Sequence, residues 1–140
     1  MANERVANDV AKPVPTPNPE TQPFWDACAK GELSVQCCAT CGHKQHYPRL
    51  LCTACSSTEV AQIPVSGRGS IASFTVNRVP VSTAFAPDVP YAVALVELEE
   101  GPTMMANIAT DDLDALHIGM AVEVHFEERG EISLPQFKPA

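Results

Sequence analysis

Long apolar runs are absent from this chain of 140 residues. A helix that spans a membrane needs about 20 consecutive apolar residues, and the sequence contains no run of that kind. Its first residues, MANERVAND, also lack the apolar stretch of a secretory leader. We therefore expect a soluble, cytoplasmic protein that has no membrane partner.

Positive charge and aromatic side chains are scarce as well. Nine lysines and arginines face 17 acidic residues, which gives a net charge of −8, and aromatic residues make up 6% of the chain. Proteins that bind nucleic acids need a basic surface, and those that bind single strands also use stacked aromatic rings. The composition therefore disfavours a nucleic-acid partner, although two or three local cations could still hold a small phosphorylated ligand.

Cysteine is abundant in comparison, and four of the six cysteines form two C-x2-C pairs. The pairs are Cys38 with Cys41 and, ten residues later, Cys52 with Cys55. This spacing is typical of a tetrahedral zinc site, in which four thiolates leave no open position for water or substrate. We therefore predict one structural zinc ion per chain. Iron, as in rubredoxin-type electron carriers, is the alternative metal.

Two further cysteines need an assignment. Cys37 could replace Cys38 only if the first turn became C-x3-C. Gly42 follows Cys41 directly and favours Cys38 as the ligand, because the end of such a turn often needs a positive φ angle. Cys28 is interpreted as a small buried apolar residue.

The four histidines are not predicted to act as ligands or catalytic groups. His43 and His46 are interpreted as exposed residues of the hairpin between the cysteine pairs, and His117 and His125 as surface or structural residues. The sequence has no nucleophile elbow, glycine-rich phosphate loop or His-Glu-x-x-His motif. We therefore expect that the chain alone is not an enzyme.

Three regions follow from the pattern along the chain. Residues 1–19, where every second residue from Pro13 to Pro19 is proline, are predicted to form a flexible arm. Residues 20–60 are predicted to hold a short helix, capped by Thr21 and ended by Gly31, followed by the zinc ribbon. Trp25 in this helix is interpreted as a core residue. Residues 61–140 are predicted to form a small barrel.

The barrel is predicted from alternating apolar residues. The expected strands cover residues 59–65, 70–79, 91–99, 103–109 and 121–128. Gly67 and Gly69 mark a turn or bulge, and Asp111 is expected to cap a short helical turn before the last strand. Five short strands with a helix before the last are typical of an OB-fold. Met104 and Met105 are interpreted as core residues.

The order of motifs also carries a family resemblance. These motifs are PFW, GEL, C-x2-CG, YPR and C-x2-C, followed by VSGRGSIASFTV, PYAVALVELEEGP, IGMAVEVHFEE and LPQFKP. In this order they resemble the zinc-ribbon/OB-fold family once catalogued as domain of unknown function thirty-five, and the resemblance covers residues 20–139. The chain departs from many relatives at Tyr47-Pro48, where they have Pro-Pro, and at Thr53, where they have Pro.

The resemblance implies a mainly β fold: an N-terminal helix, a rubredoxin-like zinc ribbon and a C-terminal OB-fold barrel. It also implies a non-catalytic accessory subunit that forms a hetero-oligomer with a thiolase-like catalytic subunit and supports acyl-CoA binding. Arg68 and Arg78 are the candidate contacts for the phosphates of a coenzyme A thioester, in a site expected to be shared with the partner; the alternative is that they are solvated or internally paired. The alternative functions are a single-stranded nucleic-acid module and a rubredoxin-like electron carrier.

Overall fold

The computed structural model describes residues 11–140. It contains one α-helix, α1 (Gln22–Ala29), and two short 3-10 helices over Thr83–Asp88 and Leu113–Ala115. The eight strands are β1 (Ser34–Cys38), β2 (Lys44–Gln45), β3 (Val60–Pro64), β4 (Arg68–Asn77), β5 (Tyr91–Leu98), β6 (Thr103–Ile108), β7 (Ala121–Arg129) and β8 (Ile132–Pro139). Within residues 11–140, no helix has the length and apolar character needed to cross a membrane.

Helix α1 starts and ends at the predicted places, but its first turn differs from the prediction. Thr21 occupies the position before the helix, yet its hydroxyl makes no capping hydrogen bond to α1. Instead, Thr21 Oγ1 accepts the amide of Asn18 at 3.0 Å, and the Asn18 carbonyl accepts the amide of Gln22 at 2.8 Å. At the other end Gly31 has φ +78° and donates its amide to the Cys28 carbonyl, which closes the helix as expected.

A three-stranded antiparallel sheet with the order β2-β1-β3 forms the ribbon. Strand β3 was predicted to begin the barrel, and this assignment was wrong: Cys38 lies opposite Val60, and Ser34 opposite Pro64. The physical reason is that β1 is buried along most of its length, while β2 offers only two residues to cover it. The boundary predicted between residues 60 and 61 therefore cuts through β3.

The second sheet is a closed five-stranded barrel with the order β4-β5-β6-β8-β7. Together with the helix and ribbon, it confirms the predicted mainly β, OB-fold architecture. Strand β8 was missed on the sequence, because Pro135 and Pro139 lower its strand propensity. It nevertheless pairs with β7 along its length and meets β6 in parallel at Ile108 and Phe137.

The barrel core consists mainly of alternate residues of β5 and β6. The inward-facing residues of three strands are Ala92, Ala94, Val96, Leu98, Met104, Ala106, Ile108 and Phe137. Trp25 packs against this core and Cys28 is 1% exposed, as predicted for both residues. Met104 is buried as expected, but Met105 points outward and is 68% exposed, so its assignment to the core was wrong.

The helical turn before β7 follows Asp112 rather than Asp111, so Asp111 does not cap it. The 3-10 helix covers Leu113–Ala115 and follows Asp112, whose side chain makes no capping hydrogen bond. The hydroxyl of Thr110 accepts the Asp112 amide at 3.1 Å instead.

The described part of the proline-rich arm lies against the barrel. Lys12 forms a salt bridge with Asp88, and Arg129 donates to the Pro13 carbonyl at 3.5 Å. Residues 1–10 lie outside the described residues, and the flexibility of the arm stays a prediction.

Close packing of β4 against β5 depends on Gly69, the second residue of β4. A Cβ atom at Gly69 would lie 2.5 Å from the Glu97 carbonyl oxygen, which is backbone and cannot rotate away. We predict that Gly69→Ala lowers the free energy of unfolding by about 2–3 kcal/mol, as in other overpacked sites. Gly31→Ala is the control, since that site has φ +78° but no atom within 4 Å, and it should cost about 1 kcal/mol. Chemical denaturation measures both, and a Gly69→Ala protein as stable as wild type would contradict the prediction.

Candidate metal centre and ribbon loop

Two tight turns, here called knuckles, present the four cysteines of the C-x2-C pairs. In the first knuckle the Cys38 amide donates to the His43 carbonyl at 2.9 Å and the Gly42 amide to the Cys38 carbonyl at 2.8 Å. In the second, the Cys52 amide donates to the Ser57 carbonyl at 2.8 Å and the Ser56 amide to the Cys52 carbonyl at 2.9 Å. The two knuckles therefore repeat the same hydrogen-bond pattern.

The residue after the second cysteine of each knuckle has a left-handed backbone. Gly42 has φ +79°, as predicted, and Ser56 has φ +65°. Glycine adopts this conformation without steric cost, whereas the Cβ atom of serine makes it energetically unfavourable. The fold accepts that cost in the second knuckle, which indicates that the position of Cys55 is tightly constrained.

The sulfur atoms of the two knuckles meet in one cluster. All four ligand atoms of Cys38, Cys41, Cys52 and Cys55 lie within 4.8 Å of one another. Two Sγ pairs, Cys38 with Cys55 and Cys41 with Cys52, are each 3.6 Å apart. A zinc–sulfur bond of about 2.3 Å gives tetrahedral edges of about 3.8 Å, so the residues present fit a zinc ion. The zinc ribbon and its four adjacent cysteines thus support a structural zinc.

Backbone amides donate hydrogen bonds to two of the four sulfur atoms. The Cys41 amide donates to the Cys38 sulfur at 3.5 Å, and the Ala54 amide donates to the Cys52 sulfur at 3.3 Å. The hydrogen bond from the Cys41 amide lowers the pKa of the Cys38 thiol to about 6, whereas the neighbouring sulfurs raise the pKa of the Cys41 thiol to about 12. Four thiolates this close repel one another, so full deprotonation requires a divalent cation between them.

The other two cysteines lie outside the cluster, which answers the question left open by the sequence. Cys37 Sγ lies 3.9 Å from the carbonyl oxygens of both Cys38 and Gly42, and the metal-binding group excludes it. Cys28 is buried, and burial raises the pKa of its thiol to about 12. The Cys28 thiol therefore stays neutral and serves packing.

Two buried glutamines connect the ribbon sheet to the loop before the second knuckle, a feature that sequence analysis missed. Gln36 receives the Arg49 amide and donates to the Arg49 carbonyl, both at 2.8 Å. Gln45 donates to Gln36 Oε1 at 2.8 Å and to the Leu51 carbonyl at 3.2 Å. It also accepts the amide of Thr53 at 2.9 Å, a bond that proline at this position could not make.

The two hairpin histidines have different environments. His43 is exposed, as predicted, and its Nε2 lies 3.3 Å from the Thr53 hydroxyl. The prediction of an exposed His46 was wrong, because its ring lies 5.5 Å from that of Phe24 and 5.6 Å from that of Tyr47. Its Nδ1 is buried without a hydrogen-bond partner among the described residues, and burial lowers the pKa of His46 to about 4. This packing could not be predicted from local sequence patterns, because Phe24 belongs to helix α1 and is distant from the hairpin in sequence.

The structure does not bring together the two arginines predicted to contact coenzyme A. Arg68 and Arg78 stand at opposite ends of β4, on the order of 30 Å apart at the usual rise of a strand. Arg68 Nε pairs with Glu99 Oε2 at 3.3 Å on the surface, while Arg78 is exposed. The two guanidinium groups are too far apart to contact the same phosphate group.

A cleft of about 280 Å³ opens at the arm side of the barrel. Phe85, Tyr91 and His125 line it, together with Lys12 and Arg129. Both cations are already engaged: Lys12 pairs with a carboxylate of the 3-10 helix, and Arg129 makes two hydrogen bonds to one carboxylate oxygen of β7. Within residues 11–140, the cleft therefore offers aromatic surface but no free positive charge.

Comparison with known proteins accounts for both parts of the chain. A family model described as the ChsH2 rubredoxin-like zinc ribbon domain matches residues 25–61, and one described as the ChsH2 C-terminal OB-fold domain matches residues 62–127. A chain of the structure named Ltp2-ChsH2(DUF35) aldolase superposes with a TM-score of 0.81 at 33% identity, covering 90% of this chain and 98% of that one. A DUF35 protein from Sulfolobus solfataricus, with a TM-score of 0.62 at 13% identity, shares the fold.

Several curated proteins are similar in sequence. The probable enoyl-CoA hydratase alpha subunit of Thermomonospora curvata is 34% identical over 130 residues, which are 92% of this chain and 40% of that protein. The 3-oxo-4,17-pregnadiene-20-carboxyl-CoA hydratase alpha subunit of Mycobacterium tuberculosis is 32% identical over 125 residues, 89% of this chain and 39% of that protein. The chain thus spans about two fifths of these relatives. A DUF35 domain-containing scaffold protein of Methanothermobacter thermautotrophicus is 36% identical over 98 residues, 67% of this chain and 73% of that protein.

The four clustered thiols should bind one zinc ion, and removal of any one should unfold the ribbon. Cys52→Ser is the sharpest case, because Cys52 is fully buried. Structural zinc contributes about 10–16 kcal/mol of apparent binding energy in zinc-finger peptides, so the loss of a ligand should cost several kcal/mol. Metal analysis should find one zinc per wild-type chain, and the matched control Cys37→Ser should keep it. A red protein that contains iron, or zinc loss in Cys37→Ser, would contradict this assignment.

Stability should fall on mild acidification because of His46. Its pKa is lowered from 6.5 to about 4 in the folded chain, so the fold favours the neutral ring. The stabilisation is complete above pH 6.5 and is lost as the pH falls from there towards 4, by about 1–2 kcal/mol between pH 7 and pH 5. Denaturation at several pH values measures this slope. It should be smaller in His46→Gln and unchanged in His43→Gln, and equal slopes in wild type and His46→Gln would refute the assignment to His46.

Proposed function

The chain belongs to the ChsH2 family of zinc-ribbon and OB-fold proteins, also named DUF35, and we propose that it is a non-catalytic accessory subunit of an acyl-CoA enzyme. The observation that carries this proposal is its match, over 98% of the other chain and at 33% identity, to one component of a two-protein aldolase. Two curated relatives named as alpha subunits of acyl-CoA hydratases point to the same class of enzyme.

The metal has a structural role in this proposal. Cys38, Cys41, Cys52 and Cys55 are the proposed zinc ligands, since their sulfurs fit the edges of a tetrahedron. Four thiolates saturate such an ion, so it has no position left to activate water or polarise a substrate. The ion would hold the ribbon in a fixed shape, and the reaction would take place on another subunit.

The proposed partner is a thiolase-like subunit, or a hydratase or aldolase subunit of similar role, in a hetero-oligomer in the cytoplasm. Carbon–carbon bond formation or cleavage on an acyl-CoA needs a positioned base or nucleophile and an oxyanion hole. Among the described residues, the cleft pairs its lysine and arginine with carboxylates and places one histidine, His125, but no thiol beside its aromatic rings. This arrangement supports a partner that supplies the reacting groups.

Acyl-CoA would then be held in a site shared with the partner. Coenzyme A carries several phosphate charges, and each needs cations or amide donors. Arg68 is paired with Glu99 and stands far along β4 from Arg78, so either residue could supply one phosphate contact and neither could supply a complete site. A single charge-assisted hydrogen bond is worth about 1.5–3 kcal/mol, which is too little for stable binding by this chain alone.

Co-expression tests the proposal. This chain would be produced with tagged Ltp2, the other component of the similar aldolase, and in parallel with a thiolase-type or hydratase-type protein encoded beside its own gene. We expect a stable complex with at least one of them, acyl-CoA turnover by the complex, and none by this chain alone. The control is each partner expressed by itself, which should be poorly soluble or inactive. Full turnover by a partner without this chain, or no complex with either, would refute the proposal.

A further inference from the structure

The loop between the two knuckles displays large apolar side chains to solvent. This ribbon loop, residues 47–51, exposes Tyr47 by 56%, Leu50 by 67% and Leu51 by 42%. Single exposed apolar residues are common on protein surfaces, but three within five residues form a local patch. The chain itself does not cover this patch in the described residues.

Two buried glutamine side chains hold the backbone of the ribbon loop in this shape. Gln36 is 6% exposed and fixes both backbone groups of Arg49, and Gln45, at 7% exposure, holds the Leu51 carbonyl. Pro48 is buried between these anchors. The apolar side chains therefore point outward because a buried polar network holds their backbone. A loop fixed before binding loses little conformational entropy when a partner covers it.

The charge around the ribbon loop limits the kind of partner surface that could bind there. All 17 acidic residues lie outside residues 33–58, so the ribbon loop has no carboxylate near it in sequence. Arg49 stands exposed in the middle of the loop and forms no salt bridge within residues 11–140. A complementary surface would therefore be apolar and would carry a carboxylate opposite Arg49.

We propose that the ribbon loop is the docking element for the catalytic subunit, with Tyr47, Leu50 and Leu51 inserted into an apolar depression beside a carboxylate. This inference rests on the proposed function and assigns a surface to it. A protein partner fits better than a nucleic acid, because single strands are bound by stacked aromatic rings and only one of the three side chains is aromatic. Arg and Tyr are also enriched among the residues that dominate the energy of protein interfaces.

A second apolar site offers an internal control. Met105 is 68% exposed and Leu95, directly opposite it on the outer face of the barrel, is 40% exposed. Met105 thus matches Leu50 in exposure but lies on the barrel rather than on the ribbon loop. If apolar exposure alone decided docking, substitutions at the two sites would have equal effects.

The experiment measures the affinity of variants for the partner that co-purifies with wild type. Leu50→Ser should weaken binding about 10-fold, and Tyr47→Ser combined with Leu50→Ser and Leu51→Ser should weaken it about 100-fold or more, as expected for anchor residues. Arg49→Glu should weaken it about 10-fold or more, since it places a negative charge opposite a carboxylate. Met105→Ser should stay within about 2-fold of wild type, because rim and non-interface residues contribute little. All variants should keep one zinc per chain, which verifies the fold.

The outcomes separate the two proposals. If wild type binds and the triple variant binds equally well, the docking inference fails while the proposed function stands. If Met105→Ser abolishes binding and Leu50→Ser does not, the barrel face is the interface and the inference is again overturned. If wild type binds neither partner protein but binds single-stranded DNA in a salt-dependent way that Arg49→Glu removes, both proposals fail and the loop is a nucleic-acid site.

Preorganisation has its own test. Gln45→Met removes the bonds to the Leu51 carbonyl and the Thr53 amide while keeping the side-chain volume. Amide hydrogen exchange in residues 49–53 should become faster, and the affinity for the partner should fall about 10-fold with all three apolar side chains still present. Faster exchange with unchanged affinity would show that the fixed loop shape does not serve docking, which would contradict this part of the inference.

Discussion

Four sulfur atoms gathered from two knuckles are the constraint on which the N-terminal half of the molecule depends. The ribbon is too small to stabilise itself by burial, since β2 has two residues and chains below about 40 residues usually need a metal or disulfides. Strand β1 leads into the first knuckle and β3 follows the second, so a metal that joins the knuckles also sets the register of these strands. The Ala39 amide of the first knuckle donates to the carbonyl of Glu59, the residue before β3, at 2.8 Å. This hydrogen bond joins the first knuckle to the start of β3.

The same constraint reaches the surface through the two buried glutamines. Burying an amide without partners is costly, and Gln36 and Gln45 avoid that cost only because the backbone of residues 49–53 lies where their oxygens and nitrogens point. The second knuckle and the ribbon loop are therefore parts of one hydrogen-bonded unit. A metal ion without chemistry of its own would in this way fix the shape of a surface several residues from its ligands.

Local features of the sequence were predictable, and contacts between distant segments were not. The spacing of the four cysteines, Gly42 after Cys41, and the glycine that ends α1 each follow from the chemistry of a few adjacent residues. Strand β3 was assigned to the wrong sheet because alternation shows that a strand exists but does not show its partner. The burial of His46 depends on Phe24, which is 22 residues away, and the role of Gln36 depends on Arg49. Strand β8, which closes the barrel, was not predicted because its prolines lower its strand propensity.

Charge is distributed differently in the ribbon and in the barrel. The ribbon between residues 33 and 58 carries Lys44 and Arg49 without acidic residues, which offsets the two negative charges that a zinc tetrathiolate would add. The barrel holds most of the negative charge, and the cations that line its cleft are paired with its own carboxylates. Under the proposed function, an anionic acyl-CoA would be repelled by the barrel alone, so its binding there would require cations from a second protein. Under the proposed docking, the apolar and rigid ribbon loop would recruit that protein, and ligand binding would then depend on the docking step.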